Sequence, residues 1–274
     1  MKIQSHKVLI TGGASGIGRI MCRMALQRGA SALAIWDINE KAVAETIAEL
    51  KEKFPGAQVE GYRCDISSPD SVQAAFESTV SRSGDIDILI NCAGIITNNK
   101  FFSEQTDQDI IRTFSINTEG AMFVTLRFLP GMKERGAGHI VNITSSAGML
   151  ALPRMSLYAS SKWAAIGWSE SMRLELKREK SPVKVTTVAP YFINTGMFEG
   201  IKSVFRILPP EEVAAKTLTA LEHDRPYKGI NFPSHFIRLM QGIFPFRLFD
   251  FMFGEVFGLY TVMDHFMGRR PEGK

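Results

Sequence analysis

The stretch that most constrains this chain is T-G-G-A-S-G-I-G, residues 11–18. It lies between a short apolar run, residues 8–10, and an amphipathic segment that reaches about Arg28. Strand, glycine-rich turn and helix follow one another there without a spacer. Glycine lets the backbone turn tightly and come close to a bound group. The helix start then offers free N–H groups and a positive dipole end to an anion such as a pyrophosphate. The spacing of Gly12, Gly16 and Gly18 is G-x-x-x-G-x-G, not the commoner G-x-G-x-x-G. Ser15 and Ile17 fill the same turn.

The segments that follow keep the alternation going. Residues 32–36 are an apolar run ending at Asp37, nineteen positions after Gly18. That is the spacing at which a carboxylate hydrogen-bonds the adenosine ribose hydroxyls of a dinucleotide and repels a 2′-phosphate. Asp37 therefore favours NAD over NADP, and it also reads as a cap for the next helix. Residues 39–53 predict that helix, broken by Pro55-Gly56. Residues 58–64 predict a strand ending in Asp65-Ile66. Ser68-Pro69 opens a helix to about Ser83, and residues 87–90 predict a strand running into N-C-A-G, residues 91–94. Four strands alternating with helices imply a parallel, doubly wound Rossmann-type sheet with helices on both faces. Ligands of such sheets lie beyond the carboxyl ends of the strands, where Asp37, Asp65 and Asn91 stand.

The second half continues the pattern. A helical region begins at Thr106, with Asp109 three residues on as in a capping box, and carries Asn117. A polar residue there predicts a bent helix or a bound water. Residues 140–144 predict a fifth strand ending at Ser145. Residues 157–180 predict a long helix, residues 183–189 a sixth strand, and residues 229–232 a short seventh. Tyr158 and Lys162 sit four apart at the start of the long helix and share one face. An ammonium beside a phenol favours the phenolate, which lowers the tyrosine pKa and supplies a proton acceptor. Ser145 is placed to hydrogen-bond the same substrate oxygen.

Composition narrows the function classes. The chain has 274 residues, 45% of them apolar, and a net charge of +4. That is enough for a sizeable core, and no basic run points to nucleic acid. Cys22, Cys64 and Cys92 form no C-x-x-C pair, so reduced thiols in a cytoplasmic protein are expected, and no metal site. The first residues, M-K-I-Q-S-H-K, carry no apolar signal stretch. From residue 234 the character changes. Nine of nineteen phenylalanines fall within residues 232–266, with charges breaking every apolar run short of the ~20 residues that span a bilayer. Residues 1–233 and 234–274 are thus expected as a main domain and a hydrophobic helical extension. The extension is a lid over a lipophilic pocket, an oligomer interface, or a segment lying on a membrane surface.

The ordered set T-G-G-A-S-G-I-G, C-D-I, N-C-A-G, a helical Asn, Ser145, Y-x-x-x-K and a Pro-led N-T loop resembles the classical short-chain dehydrogenase/reductase family over residues 5–232. The runs G-H-I-V-N-I-T-S-S-A-G, Y-A-S-S-K-W-A-A-I-G and P-Y-F-I-N-T-G-M-F look like its subgroup of epidermal retinol dehydrogenases and 17β-hydroxysteroid dehydrogenases of types 11 and 13. The resemblance implies NAD as cofactor. Gly12, Ser15, Gly16, Ile17 and Gly18 would line its phosphates, Asp37 its ribose, and Asp65 and Ile66 its adenine. Asn91, Ala93 and Gly94 would lie along it, and Ile193 and Thr195 would hold its carboxamide. Asn117, Ser145, Tyr158 and Lys162 match the catalytic tetrad, with Tyr158 also against the cofactor and Lys162 also on the nicotinamide ribose. Tyr191 departs from the Gly that usually follows the Pro. The implied activity is oxidation of a lipophilic alcohol (steroid, retinoid or long-chain alcohol), or reduction of its carbonyl, by a homodimer or homotetramer. An NADP-linked carbonyl reductase and a non-catalytic, NAD-binding lipid-surface protein are the alternatives. The loop 147–156, the region 192–208 and the Phe-rich tail are apolar enough to enclose the alcohol's carbon skeleton, with Leu150, Leu152 and Met155 of the loop as candidates for one wall.

Overall fold

The structure, a computed structural model, describes residues 1–268, with the backbone alone described at 232–236. The last six residues of the expected extension, 269–274, lie outside the described residues.

Among the described residues, seven strands form one parallel sheet in the order β3-β2-β1-β4-β5-β6-β7. They are β1 (Lys7–Thr11), β2 (Ala32–Asp37), β3 (Gln58–Arg63), β4 (Ile88–Asn91), β5 (His139–Ile143), β6 (Lys184–Pro190) and β7 (Tyr227–Ile230). The order reverses between β1 and β4, which opens the crevice at the carboxyl edge between them. The central strands β1, β2 and β4 are buried on both sides and feed two cores by their two-residue period. Val8 and Ile10 join Ile35, Ile88 and Ile90 in one cluster, while Leu9, Ala34, Trp36 and Leu89 join the other. The first is covered by α1 (Gly16–Gln27), α2 (Glu40–Lys53) and α7 (Pro210–Glu222). The second is covered by α3 (Pro69–Ser83), α5 (Gly120–Glu134) and α6 (Ser156–Arg178). Trp36, fully buried, donates from Nε1 to Thr79 Oγ1 on α3 at 2.9 Å, so its one polar atom is satisfied.

Local chemistry explains most boundaries. Asn39 caps α2 by accepting from Ala42 N, and Ser68 caps α3 ahead of Pro69. The helical region around Asn117 is not continuous. It comprises α4 (Asp107–Phe114), a π turn over Ser115–Glu119, and α5. The bend expected of a polar residue in this helix therefore takes the form of a wide turn. The seventh strand lies two residues earlier than expected. After it come α8 (Phe232–Ile243), α9 (Phe246–Asp250) and a second π turn, Phe251–Val256. This helical segment packs on the first core through Ile237, Phe249, Phe253, Leu259, Val262 and Met263. Among the described residues no helix is long and apolar enough to cross a membrane.

Candidate active site

The crevice is built first from backbone. Gly12 and Gly16 hold φ of +64° and +51°, where a side chain would be strained. A Cβ on Gly12 would come within 2.9 Å of Ala93 Cα, and one on Gly18 within 2.1 Å of the Gly12 carbonyl oxygen. The turn therefore packs against both its own helix start and the end of β4. Thr11 Oγ1 ties those two loops together by accepting from Cys92 N at 3.0 Å and Ala93 N at 3.2 Å. Asp37, at the end of β2, accepts from Ala14 N at 3.1 Å and from Asn39 N at 3.1 Å. Its carboxylate is thus anchored at the mouth of the glycine loop.

The other half of the site comes from side chains on β5 and α6. Ser145 follows β5 and accepts from Ala147 N at 3.1 Å through Oγ. Tyr158 and Lys162 sit on the first turns of α6, with the Lys162 Nζ 5.8 Å from the Tyr158 ring centre. Lys162 Nζ donates to the Ile143 carbonyl at 3.3 Å, which draws it toward the strand ends. Asn117 is held from three sides. Its Oδ1 accepts from Ile95 N at 2.8 Å, and its Nδ2 donates to Ile95 O at 2.9 Å and to Ser161 Oγ at 3.2 Å. The π turn is what carries this side chain to the loop after β4. Gly94 lies between the two groups: a Cβ there would sit 3.3 Å from Asn117 Oδ1 and 3.4 Å from Lys162 Nζ.

One cleft joins the two halves. Gly12, Ser15, Gly16, Ile17, Gly18, Asp37, Asp65, Ile66, Ala93, Gly94, Ser145, Tyr158, Lys162, Ile193 and Thr195 all line it. The sequence profile described as short chain dehydrogenase matches residues 6–204, most of the chain. The chain belongs to the short-chain dehydrogenase family. It is similar to epidermal retinol dehydrogenase 2 of Mus musculus, 34% identical over 270 residues, covering 97% of this chain and 86% of that protein. It is also similar to estradiol 17-beta-dehydrogenase 11 of Homo sapiens, 34% identical over 244 residues, covering 88% of this chain and 79% of that protein. Among solved structures, a short chain dehydrogenase/reductase from Burkholderia phymatum in complex with NAD matches with a TM-score of 0.79. It is 26% identical, and the match covers 88% of this chain and 95% of that one.

Two expected residues of this dehydrogenase are not on the cleft wall. Asn117 sits behind Gly94, as described. Asn91 turns away: its Nδ2 donates to Thr125 Oγ1 at 2.9 Å and to Asn142 Oδ1 at 2.8 Å. Asn142 donates onward to Ser169 Oγ at 2.8 Å. The reason is the strand period. Asn91 shares a face with Leu89, and that face looks at α5 and α6. Its side chain therefore ties β4 to its neighbours and does not extend along the cleft.

The electrostatics also depart from the sequence expectation. Burial pushes the Tyr158 phenol up to about 12, and a hydrogen bond with Ser145 only partly offsets this. Burial also pulls Lys162 down to about 8, partly offset by Cys92. Burial by itself thus favours the uncharged form of each group.

Leu150, Leu152 and Met155 are buried in the same apolar cluster as Tyr158, Phe192 and Phe253, and none lines the cleft. The wall beside Tyr158 is instead Met197 and Phe198. The Phe198 ring stands edge-on to Tyr158, with centres 6.2 Å apart. Tyr191, the departure from the family pattern, is accommodated: its ring meets Phe192 and Phe205 edge-on and its Oη pairs with Ser203 Oγ at 3.1 Å. Thr11 and Phe198 were not singled out by the sequence. The hydroxyl directly before the first glycine was a usable signal for Thr11. Phe198 lies in the apolar region 192–208 expected to help enclose the alcohol, but nothing local marked its ring as the one that faces Tyr158, forty residues away. Cys22, Cys64 and Cys92 are free thiols, the first two buried and Cys92 half-buried on the cleft.

Proposed function

We propose that this short-chain dehydrogenase uses NAD to interconvert a lipophilic alcohol, such as a steroid, retinoid or long-chain alcohol, and its ketone or aldehyde. The observation that carries the reading is one cleft holding a glycine cradle, Ser145, Tyr158 and Lys162, with an apolar wall of Ile193, Met197 and Phe198. The cradle fits a dinucleotide: the close approaches at Gly12 and Gly18 leave backbone N–H groups, not side chains, facing the space at the start of α1. Asp37 supports NAD over NADP by charge, and Asp65 and Ile66 flank the adenine end. Ala93 and Gly94 lie along the cofactor, with Asn91 bracing their loop from behind. Ile193 and Thr195 take the carboxamide.

NAD, when bound, supplies the hydride acceptor. Ser145 Oγ and Tyr158 Oη hold the substrate oxygen between them. In the reducing direction the neutral Tyr158 phenol donates its proton to that oxygen. In the oxidising direction the phenolate accepts the alcohol proton, so oxidation gains as pH rises. Ser145 stabilises charge as it develops on the oxygen. Lys162 binds the nicotinamide ribose and supplies positive charge beside the phenolate. Asn117 orders the Ile95 loop and a proton path past Gly94.

Residues 1–233 serve as the catalytic domain and residues 234–274 as its apolar extension. The protein is placed in the cytoplasm, and exposed Phe246, Phe251 and Val256 support peripheral contact with a membrane surface. Leu126 on α5 and Trp163 and Leu174 on α6 are exposed and support pairing of two copies through those helices. Sedimentation tests the pairing. NADH formation with estradiol, retinol and decanol tests the activity. Turnover confined to sugars or polar polyols overturns it.

A further inference from the structure

Residues 194–207 leave the sheet edge and return to it. Their base is closed by Leu208 N donating to Phe192 O and Asn194 N donating to Leu208 O, both at 2.9 Å. Phe198 projects from this excursion onto Tyr158. It is enclosed by aromatic rings: Phe192 at 5.0 Å and, from the C-terminal end of the chain, Phe266 at 6.5 Å. The ring therefore stands where an alcohol's carbon skeleton has to lie if its oxygen is to reach Tyr158.

Residues 259–267 hold it there. This stretch touches the loop after each of β4, β5 and β6. Asn99 Nδ2 donates to the Met263 carbonyl at 2.9 Å. The Arg154 Nε lies 3.8 Å from Asp264 Oδ1, and its guanidinium lies 4.3 Å from the Phe101 ring centre. Met267 N donates to Glu199 O at 2.8 Å, next to Phe198 itself. The fit is close, since a Cβ on Gly200 would fall 2.1 Å from the His265 carbonyl oxygen. Arg154 adopts φ of +62°, a conformation a non-glycine residue keeps only where its surroundings enforce it. Arg154 is therefore a fixed joint between the strap and the loop after Ser145.

We infer that residues 259–267 are a strap that sets the width of the alcohol side of the cleft, with Phe198 as the specificity-determining ring and Phe266 as its backstop. This rests on the proposed alcohol chemistry and assigns its selectivity to residues distant from the sheet. Bulky, ring-shaped skeletons need the Phe198 ring to move, whereas a slender chain can pass beside it.

Three variants test this: Phe198→Ala, Phe266→Ala and Asp264→Asn. Phe198→Ala raises the kcat/KM ratio of estradiol to decanol about tenfold, and the other two raise it about threefold. The NADH dissociation constant stays within about twofold of the parent in all three, because the cradle is untouched. Phe198→Leu, which keeps an apolar side chain, gives an intermediate ratio and covers the case in which the alanine variant melts early. Equal changes for both alcohols, or weakened NADH binding in step with the ratio, overturn the strap. A parent enzyme that turns over none of the panel sinks the alcohol reading instead. The strap is then read by binding of the apolar dye 1-anilinonaphthalene-8-sulfonate to the NADH complex. It tightens in Phe198→Ala and Phe266→Ala if the strap holds the ring shut, and unchanged dye binding in both rejects it.

Discussion

The two sides of the cleft are made from different materials. The cofactor side is backbone: Gly12, Gly16, Gly18 and the N-C-A-G turn, locked by Thr11 and placed by hydrogen-bonded strands. The side proposed for the alcohol is made of side chains, with Phe198 on the cleft wall and Phe192 and Phe266 behind it, all from the last third of the chain. Backbone geometry tolerates little change, because a single methyl group meets a carbonyl. Aromatic rings in edge-on contact can exchange partners at a cost of about 1 kcal/mol each. One side is thus suited to a constant ligand, and the other to a ligand that varies.

The sharpest way to separate the sides is to remove the group that joins them. Tyr158→Phe keeps the ring that packs on Phe198 and deletes only the hydroxyl. Turnover is expected to fall about 10³-fold, the scale of a lost general acid–base group. NADH binding, read by fluorescence titration, is expected to hold. A variant that retains near-parental kcat breaks the proton-transfer reading. One that loses NADH binding would place Tyr158 on the cofactor side.

The opposite pole of the sheet offers a control on the whole comparison. His139 opens β5 at the end away from the cleft. It is fully buried, with one ring nitrogen 2.8 Å from Thr186 Oγ1 and Nδ1 3.6 Å from Asp224. Asp224 in turn pairs with the Met1 amino group at 2.6 Å. Burial holds His139 down to about 4, opposed by Asp224 and reinforced by the Met1 amino group and Lys184. The folded protein keeps this ring neutral, while the unfolded chain takes up a proton below about 6.5. The stability is therefore complete above pH 6.5 and is lost as pH falls toward 4, about 3 kcal/mol in all. Carboxylates held low, such as Glu49, add their own loss only below about 4.5. Denaturant melts at pH 7, 5.5 and 4.5 read the slope. His139→Asn is expected to flatten it while leaving the ratio of alcohol to cofactor affinities unchanged. A parent whose stability is flat between pH 6.5 and 4.5 rules the assignment out.

What the sequence made legible follows the same division. The alternation of apolar runs and helices, the glycine turn and the acids at strand ends are all local patterns, and each lies where expected. Asn91 was open to a better reading, because counting by twos from Leu89 already turns it toward α5. Asn117 required the π turn, which no propensity signals. For Tyr158 the charge four residues away is visible in sequence, and the burial that opposes it is not. The apolar character of the region 192–208 and of the Phe-rich tail was legible, but which ring meets Tyr158 was not, since that depends on residues about 40 to 110 positions apart coming together. Leu150, Leu152 and Met155 illustrate the same limit: an apolar loop beside a site was read as its wall, but the Phe-rich segment packs with it into core.

A methyl group is the most direct probe of the backbone side. Gly18→Ala would place a Cβ 2.1 Å from the Gly12 carbonyl oxygen and 2.8 Å from its carbon. Neither neighbour is a flexible side chain, so the turn itself must shift. Overpacking of this kind costs about 2 kcal/mol, and NADH affinity is expected to weaken about 30-fold. With saturating cofactor the estradiol-to-decanol ratio should stay at the parental value. A changed ratio would mean the two sides are not separable.

The smallest effect expected is at Asp37, and it bears on which dinucleotide the backbone side accepts. Its carboxylate is held by two backbone donors, Ala14 N and Asn39 N, so it cannot swing away from a phosphate placed on the ribose. Asp37→Ser removes the charge and keeps an oxygen for the ribose. Relative affinity should shift toward NADPH by about tenfold, or ~1.4 kcal/mol, mostly through relief of like-charge repulsion. NADH itself should weaken slightly, since one anchor of the glycine loop is lost with the second carboxylate oxygen. Titrating both reduced cofactors at low and high salt separates the two contributions, because repulsion is screened and an anchoring hydrogen bond is not. A preference that does not move in either salt would detach cofactor choice from Asp37.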